Sequence, residues 1–199
     1  MRVVLDWDGT VTERDTLDLV LQEFGDSEIY ERVEAELEAG RLTLNEVIAA
    51  EFATVRAPLE QAVAYVVEHA RVRPGFAELA RAQRPLIVSS GFHELIEPVL
   101  EREGVLGEVE LRANRVEARP GGWQVRFRVA NPCDECGEPC KRADLPDGEV
   151  VYAGDGHSDY CASLAATRVY ATGGLARWLE RRGVSFRPLT DFQALASEL

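Results

Sequence analysis

Three short apolar runs, widely separated along the chain, each stop at small or acidic residues. The run Arg2–Trp7 is broken at Asp8-Gly9, Pro85–Ser89 runs into Ser90-Gly91, and Glu149–Ala153 ends at Gly154-Asp155-Gly156. Runs of this length, rich in Val, Ile and Leu and bounded by turn residues, read as buried strands. Between and after them the apolar residues recur at helical spacing. Strands alternating with helices predict an α/β fold with a largely parallel sheet, and in such sheets ligands bind beyond the carboxyl ends of the strands. Asp6 with Asp8, Ser89-Ser90-Gly91, and Asp155 with Asp159 should therefore meet at one sheet edge.

The first strand is followed by a helical block over residues 15–72. Leu17, Val20, Leu21 and Phe24 keep the i, i+3, i+4, i+7 spacing, as do Leu59, Ala62, Val63, Val66 and Val67. Thr43-Leu44-Asn45-Glu46 has the capping-box pattern ahead of Val47, Ile48, Phe52 and Val55. The block reads as about four helices inserted between two strands, which divides the chain into a core (1–14 and 73–199) and a helical cap (15–72). A hairpin is expected over residues 108–130 around Arg119-Pro120-Gly121-Gly122. Further on, residues 159–166 read as a helix and 168–171 as a strand.

Composition narrows the partners. With 199 residues and a net charge of −13, the surface repels nucleic acid and anionic membranes. Any phosphate-bearing ligand must then meet a local cation. The chain has 21 arginines and a single lysine, Lys141, which marks a position where a compact ammonium is needed. No apolar run approaches the roughly 20 residues that cross a bilayer, and Asp6 interrupts the stretch a signal peptide would need, so a cytoplasmic location is expected.

Asp6, Asp8 and Asp155 are hard oxygen ligands suited to Mg²⁺, which prefers few carboxylates plus substrate phosphate. Lys141 and the metal would cancel the repulsion between carboxylates and a phosphate dianion, so that one aspartate can attack phosphorus. Ser89 offers a hydroxyl, and the N–H groups after it, through Ser90 and Gly91, offer donors at a helix start. A nucleophile, an acid/base, a metal and an anion cradle make a phosphoryl-transfer site.

These residues carry a family resemblance. Asp6-Trp7-Asp8-Gly9-Thr10-Val11-Thr12 resembles the D-x-D-G-T-x-T motif of the haloacid dehalogenase superfamily of phosphatases. Val88-Ser89-Ser90-Gly91-Phe92 resembles its second motif in the phosphoserine phosphatase branch, Lys141 the third, and Gly154-Asp155-Gly156-His157-Ser158-Asp159 the fourth. The resemblance implies a Rossmann-like core with a helical cap and hydrolysis of a small phosphomonoester through an aspartyl-phosphate on Asp6. Asp8 would be the general acid and base, with Thr10 helping to fix it. Asp6, the Asp8 carbonyl and Asp155 would hold Mg²⁺, Asp159 would orient the metal's waters and Lys141, and Ser89 and Lys141 would bind the phosphoryl group.

Two subgroups compete for the substrate. Asp15 sits where phosphoserine phosphatases place a substrate-selecting cap acid, but no cap arginine matches; Arg56 is the nearest. The run Cys133-Asp134-Glu135-Cys136-Gly137-Glu138-Pro139-Cys140-Lys141 resembles the cysteine-rich segment of the methionine-salvage phosphatases acting on 2-hydroxy-3-keto-5-methylthiopentenyl-1-phosphate, and of related phosphocholine and phosphoethanolamine phosphatases. The methionine-salvage-like reading is preferred. A non-catalytic, metal-responsive binding protein and transfer to a second alcohol are the competing readings. The cysteines leave three states open: zinc bound by Cys133, Cys136, Cys140 and Cys161 (or His157 or His93), free thiols, or an oxidised pair.

Overall fold

Seven strands form one sheet in the computed structural model, which describes residues 1–129 and 131–199. They are β1 (Arg2–Leu5), β2 (Leu86–Phe92), β3 (Glu110–Glu117), β4 (Gln124–Arg126), β5 (Val150–Gly154), β6 (Arg168–Ala171) and β7 (Arg187–Pro188), in the order β4-β3-β2-β1-β5-β6-β7. Every neighbouring pair is parallel except β3–β4. The expected hairpin exists in altered form. Its first arm joins the main sheet beside β2, and its return arm shrinks to three residues; Ala130, at its expected end, lies outside the described residues. The central strands are buried on both faces, as near-continuous apolar runs require.

Four helices occupy residues 15–72: α1 (Thr16–Phe24), α2 (Ser27–Glu38), α3 (Leu44–Phe52) and α4 (Leu59–His69). Asp15 caps α1, Asp26 caps α2, and Thr43 with Glu46 closes the expected capping box on α3. At the end of α4, His69 Nδ1 lies 2.8 Å from the Tyr65 carbonyl. The remaining helices are α5 (Phe76–Gln83), α6 (His93–Arg102), α7 (Tyr160–Ala165), α8 (Gly173–Arg181) and α9 (Phe192–Ala196). Among the described residues no helix is long and apolar enough to cross a membrane.

The four inserted helices share one apolar core with the sheet. A single buried cluster links Val3, Leu5, Trp7 and Ile87 to Leu17, Val20, Phe52 and Val66. Trp7 is fully buried and meets Phe76 edge-on with centroids 6.3 Å apart. The two chain segments that enter and leave the insertion pair with each other: Glu13 N–H donates to the Arg71 carbonyl and Arg73 N–H to the Val11 carbonyl, both at 2.8 Å. The tip of the β3–β4 turn is tied to α3. Trp123 stacks on Phe52, its N–H donates to the Phe52 carbonyl at 3.0 Å, and its Nε1 donates to the Ala57 carbonyl at 2.9 Å.

Candidate active site

The end of β1 delivers Asp6 into the sheet edge, its N–H held by the Ala153 carbonyl of β5 at 2.9 Å. The chain then turns sharply through residues 7–11. Asp8 is extended and Gly9 takes φ +70°, where a Cβ would run into the Asp155 carboxylate, so glycine is required twice over. The Arg73 guanidinium pins this turn from behind. It donates to the carbonyls of Thr10 (2.9 Å), Gly9 (3.0 Å) and Thr190 (3.3 Å).

Lys141, only 3% exposed, donates to the carboxylates of Asp6 and, at 2.7 Å, Asp159. Asp159 also accepts from the Tyr152 hydroxyl (2.6 Å) and the N–H groups of Asp155 (2.9 Å) and Gly156 (3.1 Å). The expected convergence of the Asp6, Lys141 and Asp155–Asp159 segments is therefore present. Thr10 departs from expectation. Its hydroxyl lies 3.3 Å from both Asp6 Oδ2 and Asp155 Oδ1, while Asp8 is fixed by Thr16, through N–H at 2.7 Å and Oγ1 at 2.5 Å. The first turn of α1 places Thr16 there, a contact between segments that motif spacing does not reveal.

Ser89 Oγ accepts from the Gly91 N–H at 2.8 Å and lies 3.4 Å from Asp8 Oδ2. Ser90 and Gly91 belong to the irregular last part of β2, and α6 begins only at His93, so the expected helix-start cradle is instead a kinked strand end. A Cβ on Gly91 would sit 2.9 Å from Asp8 and 3.0 Å from Ser89 Oγ, which keeps this wall glycine. Asn114 buttresses it, donating to the Ser90 carbonyl at 2.7 Å and accepting from the Arg128 N–H at 2.9 Å.

Asp15 caps α1 while lying near enough to Asp8 to feel its charge. One of its oxygens accepts from the N–H groups of Leu17 (2.7 Å) and Asp18 (3.2 Å), and it does not line the cavity described below. Arg56 is likewise turned onto the Ala53 carbonyl at 2.7 Å.

Electrostatics distinguish the groups. Burial, then Asp159, pushes the Asp6 carboxyl well above the ordinary range, with Lys141 opposing. Burial raises Asp8, with the two Thr16 bonds opposing, and raises Asp155 to about 6 with Asp159 adding to it. Burial alone would depress the Lys141 ammonium, but Asp159 and Asp6 outweigh it and lift it. One ammonium among four carboxylates leaves an excess of buried negative charge. Oxygens of Asp6, Asp155 and Asp159 come within 4.8 Å of one another. Asp159 is already saturated by four donors, which leaves Asp6 and Asp155 as ligands for a hard divalent cation. The donor set fits Mg²⁺.

A cavity of about 420 Å³ opens from this centre. Its lining includes Ser89, Ser90 and Lys141, the amides of Asn45 and Asn114, and the apolar side chains of Leu44, Leu164, Tyr160 and Trp178, but not Asp6, Asp8 or Asp155. Tyr160 and Trp178 stack at 4.3 Å, with the Arg182 guanidinium over the indole. The cysteine segment forms part of the rim. His157 also lines the cavity, against Tyr160, whereas His93 is engaged by Glu97 at 2.7 Å and takes no part in the cysteine cluster.

The sequence profile of haloacid dehalogenase-like hydrolases matches residues 3–163, from β1 to α7, and so takes in Asp6, Asp8, Ser89, Lys141, Asp155 and Asp159. The chain belongs to that family. Its relatives include the 2-hydroxy-3-keto-5-methylthiopentenyl-1-phosphate phosphatase of Exiguobacterium sibiricum, 25% identical across all of this chain and 96% of that one. A protein of the same name from Bacillus cereus is 24% identical, again over the whole chain and 95% of the relative. Among solved structures, a phospho-aspartyl intermediate analogue of phosphoserine phosphatase superposes with a TM-score of 0.72 at 16% identity, covering 99% of this chain and 97% of that one. A substrate-bound phosphoserine phosphatase complex gives the same score at 17% identity, covering 100% and 98%. The fold is that of these enzymes, and the chain is a phosphatase of the family.

Proposed function

We propose that the protein hydrolyses a small phosphomonoester through an aspartyl-phosphate on Asp6. The observation that carries this reading is the buried Lys141 ammonium bridging Asp6 and Asp159 beside Asp8 and Ser89. Asp6 attacks phosphorus, and the P–O bond to the leaving alkoxide breaks as the aspartyl bond forms. Asp8, its carboxyl raised by burial and oriented by Thr16, gives its proton to that alkoxide. It then takes a proton from the water that attacks the intermediate, releasing phosphate and restoring Asp6. Lys141 and the Ser89 hydroxyl meet the phosphoryl oxygens, electrostatic help worth roughly 3–4 kcal/mol per donor. Mg²⁺, held by Asp6, Asp155 and the Asp8 carbonyl with Asp159 behind them, supplies further neutralisation of phosphate charge when bound.

For the substrate, we favour a phosphorylated keto-sugar derivative with an apolar tail, such as 2-hydroxy-3-keto-5-methylthiopentenyl-1-phosphate. Two observations support it: the full-length likeness to phosphatases of that name, and a cavity whose stacked Tyr160 and Trp178 suit a thioether. Phosphoserine fits less well, because Arg56 is turned onto a backbone carbonyl and Asp15 does not line the cavity. Asp6→Asn should lower turnover of p-nitrophenyl phosphate by at least about 10⁴-fold with an unchanged circular dichroism spectrum; retained activity overturns the nucleophile. A screen of kcat/KM over phosphoserine, phosphocholine, phosphoethanolamine and the methionine-salvage intermediate tests the substrate. A phosphoserine or phosphocholine value above that of the intermediate refutes the choice.

A further inference from the structure

Fourteen residues, 127–140, separate β4 from the turn that carries Lys141, and those described contain neither helix nor strand. Loops of that length without secondary structure are uncommon in compact domains unless something functional holds them. Its only apolar side chains beyond Phe127 and Val129 are two prolines and one alanine, so a packed core does not hold it. Three of the four cysteines lie in or at the end of this loop. The fourth, Cys161, projects from α7, and all four Sγ atoms lie within 4.8 Å of one another.

We propose that Cys133, Cys136, Cys140 and Cys161 bind one Zn²⁺ as a tetrahedral thiolate site that clamps the Lys141 segment onto α7. A Zn–S bond of about 2.3 Å sets neighbouring sulfurs about 3.8 Å apart in a tetrahedron. Cys133 and Cys161 stand at 3.9 Å. A disulfide needs about 2.05 Å, and all four cysteines are free.

The local backbone is shaped for ligation. Cys133 N–H donates to the Glu138 carbonyl at 2.9 Å, and Gly137 N–H to the Cys133 carbonyl at 2.8 Å, so residues 133–138 fold into a closed knuckle. Gly137 permits it at φ +77°. The Arg142 guanidinium lies close enough to Cys161 and Cys133 to offset part of the charge four thiolates would carry. On ligation each thiol loses its proton to solvent, and no electron is transferred.

The position gives the site its purpose. Cys140 immediately precedes Lys141, and Cys161 follows Asp159 by two residues. One ion therefore joins the two segments that bring the ammonium to its carboxylate. Free thiols packing the loop are the simpler reading, but Cys136 is exposed, its thiol donating to the Glu138 carbonyl at 3.5 Å, so it adds little packing.

The test uses the full chain, grown with zinc and purified under reducing conditions without chelator. Elemental analysis should find about one zinc per chain, and replacement by Co²⁺ should give thiolate-to-cobalt charge-transfer bands with the intense visible absorption of a tetrahedral site. Cys136→Ser and Cys161→Ser should each weaken zinc binding at least about tenfold, the lower bound for disturbing a metal's surroundings. Cys136→His should retain the ion. A zinc-free protein whose cobalt titration shows no thiolate bands overturns the proposal, as does zinc retained undiminished in both serine variants. Should those variants fail to fold, the cobalt titration of the wild type decides. For the clamp, stripping zinc at saturating Mg²⁺ should speed hydrogen exchange in residues 131–144 and in α7 while α1–α4 stay unchanged. Unaltered exchange there refutes it. None of these readouts depends on phosphatase activity.

Discussion

Tyr152→Phe isolates one hydrogen bond at the centre of the site. The side chain is fully buried among Val4, Leu86, Val88, Val150 and Ala162, and its hydroxyl donates to Asp159 Oδ1 at 2.6 Å. Phenylalanine fills the same volume, so no cavity cost arises. What is lost is a hydrogen bond to a buried carboxylate, worth about 1.5–3 kcal/mol. Lys141 still serves that oxygen, and the N–H groups of Asp155 and Gly156 serve the other, which argues for the lower half of the range. In a chain of this size each kcal/mol moves Tm by about 2–4 °C, so the variant should melt roughly 3–8 °C lower by calorimetry. Its kcat should fall less than about tenfold, since Lys141 remains held by two carboxylates. A Tm within about 1 °C of wild type would mean Asp159 does not depend on Tyr152, and the account of how Lys141 is held would fail.

Other outcomes follow from the same geometry. In chelator, Asp155 has a folded pKa of about 6 against 3.8 unfolded, so the folded state binds extra protons between these values and its stability falls as pH rises through that window. Asp6 and Asp8 act in the same direction. Mg²⁺ should relieve that strain, so the Mg²⁺-induced gain in Tm should grow from about pH 5 to pH 7; equal gains at both would refute it. Gly9→Ala puts a methyl at positive φ against Asp155, and should lose Mg²⁺ stabilisation in thermal-shift assays along with about 1–2 kcal/mol of stability. Thr16→Val removes a bond that lowers the Asp8 pKa, so the limb of the pH–rate profile due to Asp8 should move to higher pH, while Thr10→Val should leave that limb in place.

The sheet, the four inserted helices and the meeting of Asp6, Ser89, Lys141 and Asp155 were legible because short-range signals encode them. Strand runs, capping residues and glycine turns each act within a few positions. What stayed hidden depends on contacts between distant segments. Tyr152 reads as one more apolar residue of a buried strand, and only the fold aims its hydroxyl at Asp159. Arg73 is one arginine among 21 until its guanidinium is seen gathering three carbonyls. Thr16 replaced Thr10 as the anchor of Asp8 because α1 returns over the turn. Asp15 has an acid's place in a family pattern, yet its carboxylate serves α1 as a cap. Residues 184–199 carry little short-range signal, since β7 has only two residues and α9 five.

The seam between Trp123 and α3 decides what can travel when the cavity opens. An outward swing of the inserted helices must either tear the indole from Phe52 and Ala57 or carry β4 with it. Strand β3 changes partner at Asn114, which pairs with β2 on one side while the next residue, Arg115, pairs with β4. The pivot for such a joint excursion falls at that point, beside the amide that steadies Ser90. Release of phosphate and disturbance of the Ser89–Gly91 wall would then be one mechanical event.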